Sequence, residues 1–400
     1  MSDQIALSFV SDRSAPAFEY LNEILTRFGE DNRIEVVLHA FPWGEFWGET
    51  KQIAFQKGPA SLSEIGSTWL GSLASMKALQ PFTPQELNRL GGAESFVPTI
   101  WEETSLIGDR QVWAIPWVAD ARVIFYWQDI FEDAGIDGQT AFQNPQQMDR
   151  AFARLQERGF TTPWICPTAR SYDSVHQIAS WIWSGGGKFV IDGGKQIGFL
   201  ETEALAGIRA YFALGRYMPL NRHPLSEGFM TESFTQRGAA AMIGGPWIRA
   251  GMENSGMSPA MLDKLGIALP PGPPFVGAES LVIWQHASPA NKRLASDLIA
   301  LLTSPEVQAA FPRLAAALPV RLDVLATPPY STDPYFRVFG EALSRGRSLP
   351  NIPLWGRIEE ELVNGLARIW QQIAAHPDGV LESAILNELE PLAKRLNRML

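Results

Sequence analysis

The chain has 400 residues, of which 46% are hydrophobic and 19% are charged, and its formal net charge is -10. This length and composition are ordinary for a globular protein with two domains and exclude a disordered chain. The 33 basic residues are scattered along the sequence, which argues against nucleic acid as a partner. No segment of the sequence approaches the about 18 to 20 apolar residues that a membrane span needs.

The N-terminal third alternates strand and helix patterns. The predicted strands cover residues 5–10, 34–39, 61–67, 112–117 and 121–127, and the predicted helices cover residues 15–28, 70–79 and 127–136. The opening strand, helix and strand form a β-α-β unit, which implies a parallel sheet with a right-handed crossover. Residues 118–120 are interpreted as the first crossing of the chain between two lobes.

The remainder of the chain continues this alternation. The predicted helices cover residues 146–158, 174–184, 290–302, 305–311, 358–370 and 381–400. Residues 188–199 predict a hairpin closed at Asp192-Gly193, because an Asp-Gly pair supplies the positive φ of tight hairpin turns. The four prolines between residues 270 and 274 indicate an extended connector, interpreted as the second crossing.

The segment Phe234–Trp247 (FTQRGAAAMIGGPW) is the most informative part of the sequence. It predicts a helix end, a short buried strand over 238–242, and a Gly244-Gly245-Pro246 turn that directs Trp247 outward. A flat indole at a turn suits a sugar ring, whose C–H faces are apolar and whose rim carries hydroxyls. Similar turn residues flank Trp43, Trp47, Trp69, Trp117 and Trp355, which are expected to lie at loop positions.

Downstream come GAESLVIW (277–284), a helix start at Ser288-Pro289 and another at Ser304-Pro305-Glu306. In this order, together with 234–247, the segments resemble the carbohydrate-binding solute-binding proteins of ABC importers, the extracellular family that includes maltose-binding protein. The resemblance covers most of the chain. It implies an α/β, two-lobed periplasmic-binding-protein fold of type II-like architecture, in which each lobe is a sheet flanked by helices.

On this interpretation, two lobes share the chain and hinge segments join them. Lobe 1 is predicted as residues 1–116 and 277–318, lobe 2 as residues 117–276 and 319–400, and the hinges near 116–120, 268–278 and 318–323. The ligand is expected in a cleft between the lobes, at the carboxyl ends of strands, and hinged closure would expel water.

In lobe 1, the resemblance assigns ligand contacts to turns that follow strands. A carboxylate can accept hydrogen bonds from two sugar hydroxyls, and such charge-assisted bonds are about twice as strong as neutral ones. Asp120, in the predicted hinge 116–120, matches the position of a sugar-binding Glu in maltose-binding protein, and Trp117 is a candidate in the same hinge. The lobe 1 candidates are Asp12, Arg13, Trp43, Glu45, Ser67, Thr68, Trp69, Glu279 and Ser280.

In lobe 2, Trp247 is the leading candidate because its Gly-Gly-Pro-Trp setting matches the aromatic platform of the family. PNIPLWGRIEEEL brings a second platform, Trp355. Arg122, two residues beyond Asp120, would share its side of the strand and could pair with it. Arg170 and Tyr172 precede a helix where relatives touch the ligand. Each polar candidate has a structural alternative, helix capping or ion pairing.

Glycoside hydrolysis is the alternative function. It needs only two carboxylates about 5 to 10 Å apart around a sugar, and Asp120 with Glu279 or Glu45 has the residue types. The five histidines are far apart and Cys166 is the single cysteine, so we predict neither a metal site nor a cofactor. Carboxylates of sugar receptors also bind hydroxyls without chemistry. We therefore predict a binding protein and not an enzyme.

The predicted protein is a monomer that binds a mono- or oligosaccharide and delivers it to an ABC permease and its ATPase. These partners are implied by the resemblance. The opening MSDQIALSF lacks the features of a signal peptide, so either a leader has been removed or the protein is cytosolic. With a leader removed, the expected location is periplasmic or lipid-anchored outside the cell. The identity of the sugar stays open, and glycerol phosphodiesters are an alternative ligand class in this superfamily.

Overall fold

The structure is a computed structural model that describes residues 4–11, 13–220, 223–376 and 379–400. The chain divides into two compact units. Unit 1 comprises the chain up to Asp120, Val276–Ser344 and Asn351–Gly356, and unit 2 comprises Ala121–Phe275, Arg345–Pro350 and Arg357–Leu400. Among the described helices, none has the length and apolar character that crossing a membrane requires.

The chain passes between the two units five times, after Asp120, Phe275, Ser344, Pro350 and Gly356, where the sequence analysis expects three hinges. Residues 319–344 belong to unit 1, whereas the sequence analysis assigns them to lobe 2. Backbone pairing within unit 1 accompanies this assignment, because Val97 N–H donates to Val320 O at 2.9 Å and Phe96 forms a bridge with Arg321. Residues 118–120 are also not an irregular crossing, since they lie inside a continuous strand.

Unit 1 is built on a sheet whose first three strands are parallel. Its strands are β1 (Gln4–Val10), β2 (Glu35–Phe41), β3 (Ala60–Gly66), β4 (Leu79–Gln80), β5 (Ile115–Ala121, which ends at the first residue of unit 2) and β12 (Val276–Trp284). The strand order is β2-β1-β3-β12-β4, and β5 pairs with β12. Strand β12 runs antiparallel to β3, with Glu279 opposite Gly66.

The helices of unit 1 begin with the capping residues that the sequence supplies. Ser14, Ser288 and Ser304 each precede a helix and accept a hydrogen bond from the backbone of its first turn, and proline occupies one of the first two helical positions. The α-helices are α1 (Ala15–Asn32), α2 (Trp43–Gln56), α3 (Leu70–Ser75), α4 (Pro84–Arg89), α5 (Pro98–Glu102), α14 (Pro289–Leu302), α15 (Pro305–Leu314), α16 (Leu322–Leu325) and α17 (Pro334–Arg345, whose last residue belongs to unit 2).

Unit 2 contains a smaller mixed sheet and a two-stranded hairpin. Its strands are β6 (Val123–Trp127), β7 (Trp164–Ile165), β8 (Val190–Ile191), β9 (Gln196–Ile197), β10 (Ala241–Gly244) and β11 (Leu265–Ala268). The sheet order is β11-β6-β10-β7, and β8 pairs with β9 in the predicted hairpin. Strand β10 runs antiparallel to β6, with Gly244 opposite Val123 and Ala241 opposite Tyr126.

Helices surround this sheet and contribute most of the residues of unit 2. They are α6 (Gln128–Asp133), α7 (Gly138–Ala141), α8 (Pro145–Glu157), α9 (Asp173–Ser184), α10 (Thr202–Ala213), α11 (Glu227–Thr235), α12 (Trp247–Asn254), α13 (Pro259–Leu262), α18 (Trp355–Ala375, which begins in unit 1) and α19 (Leu381–Leu396).

Two predicted elements are shorter or shifted in the structure. The helix expected over 70–79 ends at Ser75, because Lys77 adopts a left-handed φ of 53° and the following residues form β4, which pairs with β12. The strand expected over 238–242 begins instead at Ala241. Arg237 has a left-handed φ of 63° and Gly238 N–H donates to Ser233 O, so these residues end α11.

Candidate functional site

In unit 1, predicted site residues follow three neighbouring strands. Arg13 follows β1, Trp43 follows β2, and Ser67, Thr68 and Trp69 follow β3. Because β1 pairs in parallel with both β2 and β3, their carboxyl ends meet at one edge of the sheet. Such edges are where open α/β sheets bind ligands.

Three indoles are stacked at this edge. The ring centroid of Trp69 lies 5.2 Å from that of Trp43 and 5.0 Å from that of Trp47. Trp69 is buried, whereas Trp43 is 42% exposed. A Cβ placed on Gly66 would contact both Trp43 and Trp69 at 3.4 Å, so the rings pack directly against the backbone of β3. Trp43 therefore offers an exposed aromatic surface on a rigid aromatic base.

Beside the stack lies a charged cluster formed by Arg13, Glu64 and Glu279. Arg13 Nη2 donates to Glu279 Oε2 at 2.7 Å and to Glu64 Oε1, and Val10 N–H donates to the other oxygen of Glu64. The side chains of Arg13 and Glu64 are buried, whereas that of Glu279 is 28% exposed. Glu279 is thus the member of the cluster that a ligand can reach.

Burial and pairing set the charge of the two carboxyl groups. Burial raises the pKa of Glu64 well above its usual value, against the opposing effect of Arg13. Burial acts in the same direction on Glu279, but Arg13 and a hydrogen bond from Glu64 hold its pKa below the usual value. The arrangement favours a protonated Glu64 that donates to an ionised Glu279.

The remaining predicted residues of unit 1 differ in accessibility. Ser67 and Thr68 are half-buried, and Ser67 Oγ accepts from Ala278 N–H at 3.5 Å, while Ser280 is buried in β12. Glu45 is exposed in the first turn of α2, and Asp120 is half-buried in β5. Asp12 lies outside the described residues.

Besides Trp69, which is buried in the indole stack, two more tryptophans lie in the interior, contrary to the loop positions expected for them. Trp117 is 0% exposed and stacks on Phe311 with 4.4 Å between ring centroids. Trp355 is 1% exposed at the start of α18. In this structure neither indole offers a face to a ligand, so their assignment as surface platforms is corrected. Both contribute to the core because long-range packing covers their turns.

In unit 2, Trp247 follows β10 and begins α12, as the turn signals predict. It is 38% exposed. A Cβ on Gly245 would come within 2.0 Å of Trp247 Cζ3, so only glycine lets the indole fold back over the turn. Gly244 makes a comparable close approach to Ile248, where a Cβ would lie 2.7 Å from Cγ1. The Gly-Gly-Pro-Trp sequence is therefore the condition for this placement of the ring.

Beneath Trp247 lies a cluster of charged residues. The guanidinium carbon of Arg122 lies 4.5 Å from the centroid of the Trp247 ring. Arg122 Nε and Nη2 donate to Asp173 Oδ1 at 2.9 and 2.6 Å, and Nη2 lies 3.2 Å from His176 Nδ1. His176 Nε2 lies 3.3 Å from the buried carboxylate of Glu359.

The cluster shifts the titration of its members. Burial raises the pKa of Asp173, but Arg122 and His176 outweigh it and hold that pKa well below its usual range. Burial lowers the pKa of His176, but hydrogen bonds to Asp173 and Glu359 outweigh it and raise the pKa to about 9. These shifts describe an ion network that is retained at neutral pH.

Arg170 and Tyr172 lie just before the first residue of α9. Arg170 is exposed, donates to Asn364 Oδ1 at 2.9 Å, and lies 5.5 Å from the ring centroid of Tyr172. Tyr172 is half-buried. Their observed partners belong to α18, which holds this pair at the surface of unit 2.

The prediction missed Glu64, Asp173, His176 and Glu359. Asp173, His176 and Gln177 have the i, i+3 and i+4 spacing of one helix face, a signal that was available, and Gln177 Nε2 donates to Asp173 Oδ2 at 2.8 Å. Glu64 stands in a strand of otherwise small and apolar residues, which indicated a buried carboxylate. Their partners come from distant segments and carry no local signal.

The described parts of the chain contain no group of three or more His, Cys, Asp and Glu side chains arranged to hold a metal ion. What the two clusters offer instead is exposed aromatic surface beside hydrogen-bonding groups. Such surfaces suit ligands with apolar faces and polar rims.

Comparison with known proteins finds the same fold in solved structures. The structure of the sugar-binding protein MalE from Xanthomonas citri matches with a TM-score of 0.82 and 21% identity, covering 99% of this chain and 96% of that one. A putative binding protein of Brucella abortus (strain 2308) is 23% identical over 94% of this chain and 90% of its own length. The diacetylchitobiose binding protein DasA of Streptomyces coelicolor is 22% identical over 88% of this chain and 81% of its own length.

Residues 23–338 match the family described as bacterial extracellular solute-binding protein. The match spans more than half of the chain, and the chain belongs to this family. The resemblance inferred from 234–247 and the segments after it is thereby confirmed, as is the α/β fold. The placement of the ligand between two lobes, and the hinged closure, stay predictions.

Proposed function

We propose that the protein is the ligand-binding component of an ABC importer and that its ligand is an uncharged mono- or oligosaccharide. Trp43 in unit 1 and Trp247 in unit 2 would stack on sugar rings. Glu279 would accept hydrogen bonds from sugar hydroxyls. In this proposal the aromatic residues supply most of the affinity, and the polar residues supply the selectivity between epimers.

One observation carries the proposal. In each unit an exposed indole directly follows a strand of the sheet, and charged or polar side chains lie beside it: Glu279 and Ser67 in unit 1, and the Arg122 cluster in unit 2. Tryptophan side chains are highly buried on average in globular proteins. Exposed indoles at the carboxyl ends of strands favour ligand stacking over core filling.

The relatives support the same ligand class. One binds diacetylchitobiose by its name, and the MalE structure is described as a sugar-binding protein. An anionic ligand such as a glycerol phosphodiester is disfavoured, because the accessible group of the unit 1 cluster is the carboxylate of Glu279 while Arg13 is buried beneath it. The carbohydrate assignment therefore agrees with the charge of the accessible groups.

We further propose that binding proceeds without hydrolysis. The family and the similar structures are binding proteins. In unit 1, Glu279 already shares hydrogen bonds with Arg13 and Glu64, an arrangement that suits a fixed acceptor of hydroxyl bonds. The partners proposed for the loaded protein are an ABC permease and its ATPase, reached by a monomer located outside the cytoplasmic membrane, either free in the periplasm or lipid-anchored.

The test is a thermal-shift screen of the purified protein over mono- and oligosaccharides, with chromatography of each mixture. We expect at least one saccharide to raise the melting temperature in a concentration-dependent way and to be recovered intact. Recovery of shorter products would replace the proposal with glycoside hydrolysis. Stabilisation by glycerol phosphodiesters and by none of the saccharides would overturn the assignment of the ligand class.

A further inference from the structure

We propose that Arg122 and Asp173 are positioning residues for Trp247, which they hold as a fixed platform whose remaining exposed surface receives the ligand. The role of the platform in binding rests on the proposed function. The positioning itself is a property of the unliganded protein. Arg122 was expected from the sequence to contact the ligand directly, and the structure assigns it a different task.

The first support is the placement of the guanidinium between two rings. Its central carbon lies 4.5 Å from the ring centroid of Trp247 and 5.5 Å from that of Phe275. The backbone of Arg122 is also fixed, because its N–H donates to Phe275 O at 2.9 Å. A cation over an indole face is attracted by the negative potential of that face, and the attraction is stronger when water is excluded.

The second support is the anchoring of the guanidinium by Asp173. Two of its nitrogens donate to one oxygen of Asp173, and the other oxygen of Asp173 accepts from Gln177 Nε2. The backbone N–H of Asp173 donates to Ser171 Oγ at 3.0 Å. Asp173 therefore has a fixed orientation at the start of α9, and it transmits that orientation to Arg122.

The third support is the low accessibility of the two charged side chains. The side chain of Arg122 is 6% exposed and that of Asp173 is 12% exposed, whereas Trp247 retains more than a third of its surface. The guanidinium thus reaches solvent and ligand mainly through the indole that covers it. The backbone of Gly245 also approaches the six-membered ring at a distance that excludes any Cβ.

Unit 2 contains a matched arrangement that serves as a control. The guanidinium carbon of Arg237 lies 4.7 Å from the ring centroid of Trp127, and Arg237 Nη2 donates to both oxygens of Asp129 at 2.9 Å. Trp127 is buried and is the last residue of β6. Gly244, which precedes the turn to Trp247, lies opposite Val123, the first residue of β6, so the two tryptophans are at opposite ends of this strand pair. Arg237→Met therefore removes a contact between a guanidinium and an indole at a position remote from Trp247.

The experiment uses ¹⁹F NMR of the full chain labelled with 5-fluorotryptophan, and Trp247→Phe assigns the resonance of Trp247. We expect Arg122→Met to shift and broaden this resonance in the absence of ligand, because the indole gains conformational freedom. Arg122→Lys retains the cation and should restore a narrower line. Arg237→Met should shift another resonance and leave that of Trp247 in place. An unchanged Trp247 resonance in Arg122→Met would overturn the proposal.

A double-mutant cycle separates positioning from direct contact with the ligand. With a saccharide identified by the thermal-shift screen, Arg122→Met should weaken binding about tenfold in the wild-type background and have no further effect in the Trp247→Ala background. A further loss in that background would show that Arg122 binds the ligand itself and would overturn the positioning role.

Two further outcomes are distinguishable. If Arg122→Met does not fold, as judged by its circular dichroism spectrum, Asp173→Asn replaces it and should broaden the same resonance. If no saccharide binds the wild-type protein, the proposed function fails, and the NMR result still decides whether Arg122 positions Trp247.

Discussion

The carboxyl groups of Glu64 and Glu279 are bonded to a single nitrogen atom, Nη2 of Arg13. Two ionised carboxylates at this distance would repel each other, and the one buried completely is the one whose pKa is raised. A proton on Glu64 relieves the repulsion and supplies a hydrogen bond to Glu279. The cluster is then one arginine, one carboxylate and one neutral acid, with the negative charge at its accessible end.

This arrangement predicts different effects for two substitutions. Glu64→Gln keeps part of the bonding of the protonated acid: the amide oxygen can accept from Val10 N–H and the amide nitrogen can donate to Glu279, but that nitrogen cannot accept from Arg13 Nη2. The free energy of unfolding should therefore fall by about 1 to 2 kcal/mol at pH 5. Arg13→Met leaves the two carboxyl groups without their cation and should lower the free energy of unfolding by about 3 to 5 kcal/mol. Urea denaturation of the variants and of wild type measures both. Equal losses would contradict a protonated Glu64.

The pH dependence of the stabilities of wild type and Glu64→Gln gives a second prediction. The folded pKa of Glu64 lies above its unfolded value of about 4.3. The native state therefore holds a proton that the unfolded state releases, and wild type loses stability as the pH rises from about 4.3 towards the folded pKa. Glu64→Gln does not titrate there. Its stability relative to wild type should increase from pH 5 to pH 8, and a constant difference would refute the shift.

Ligand affinity should follow the titration of Glu279 instead. Its pKa is held below the usual value, so its carboxylate stays ionised from pH 7 down to about pH 5.5 and continues to accept hydroxyl bonds. Calorimetry of a saccharide that binds should give a constant dissociation constant over this range. Glu279→Gln should weaken binding about tenfold, because a charge-assisted bond becomes a neutral one. Glu157→Gln, a change at an exposed ion pair of unit 2, is the control and should leave binding unchanged.

How far the sequence predicts this molecule is clearest for its tryptophans. Trp247 and Trp355 both follow a proline-containing turn and both begin a helix, yet one is exposed and the other is interior. Turn residues determine the local path of the chain, whereas burial depends on which distant segments pack over it. Trp247 was recognisable because Gly244 and Gly245 are required by contacts only two to four residues away. Trp355 had no local feature that signalled its surroundings.

The same distinction explains the fold and the clusters. Strands β1 and β2 and helices α1, α14 and α15 follow from periodicity and from caps such as Ser288 and Ser304, all of which are local. Residues 319–344 lie in unit 1 and not in lobe 2, and the backbone contact of Val320 there is with Val97, more than 200 positions earlier. Likewise, the importance of Asp173 depends on Arg122, 51 positions away. Pairings of this separation arise from tertiary packing and leave no pattern within a window of sequence.

The indole stack of unit 1 predicts opposite consequences for two neighbouring tryptophans. Trp43→Ala removes an exposed ring and should weaken saccharide binding about tenfold, with a loss of unfolding free energy below about 1 kcal/mol. Trp69→Ala removes the buried ring against which Trp43 and Trp47 stack, and should lower the unfolding free energy by about 3 to 5 kcal/mol. Calorimetry and urea denaturation of both variants provide the measurements. Normal binding by Trp43→Ala would remove this residue from the proposed site.

The ion network of unit 2 should be visible in the stability of the protein at alkaline pH. Among the described residues, the titratable and charged groups that act on His176 are Asp173 on its own helix, Glu359 from α18, Glu227 from α11 and Arg122 from the residue before β6. The ring of Phe275 stacks on it at 4.2 Å. Its folded pKa of about 9 lies above the usual value of 6.5. Protonated His176 therefore stabilises the native state fully below pH 6.5, and this contribution is lost as the pH rises to about 9.

The expected loss is at most about 3 kcal/mol of unfolding free energy between pH 6.5 and pH 9. Urea denaturation at half-unit intervals of pH measures it, and His176→Gln is the matched variant because its amide can keep a hydrogen bond to Glu359 without titrating. The variant should be less stable than wild type at pH 6, and the difference should shrink steadily towards pH 9. A difference that is independent of pH would show that the pKa of His176 is the same in the native and unfolded states, and would contradict the raised pKa.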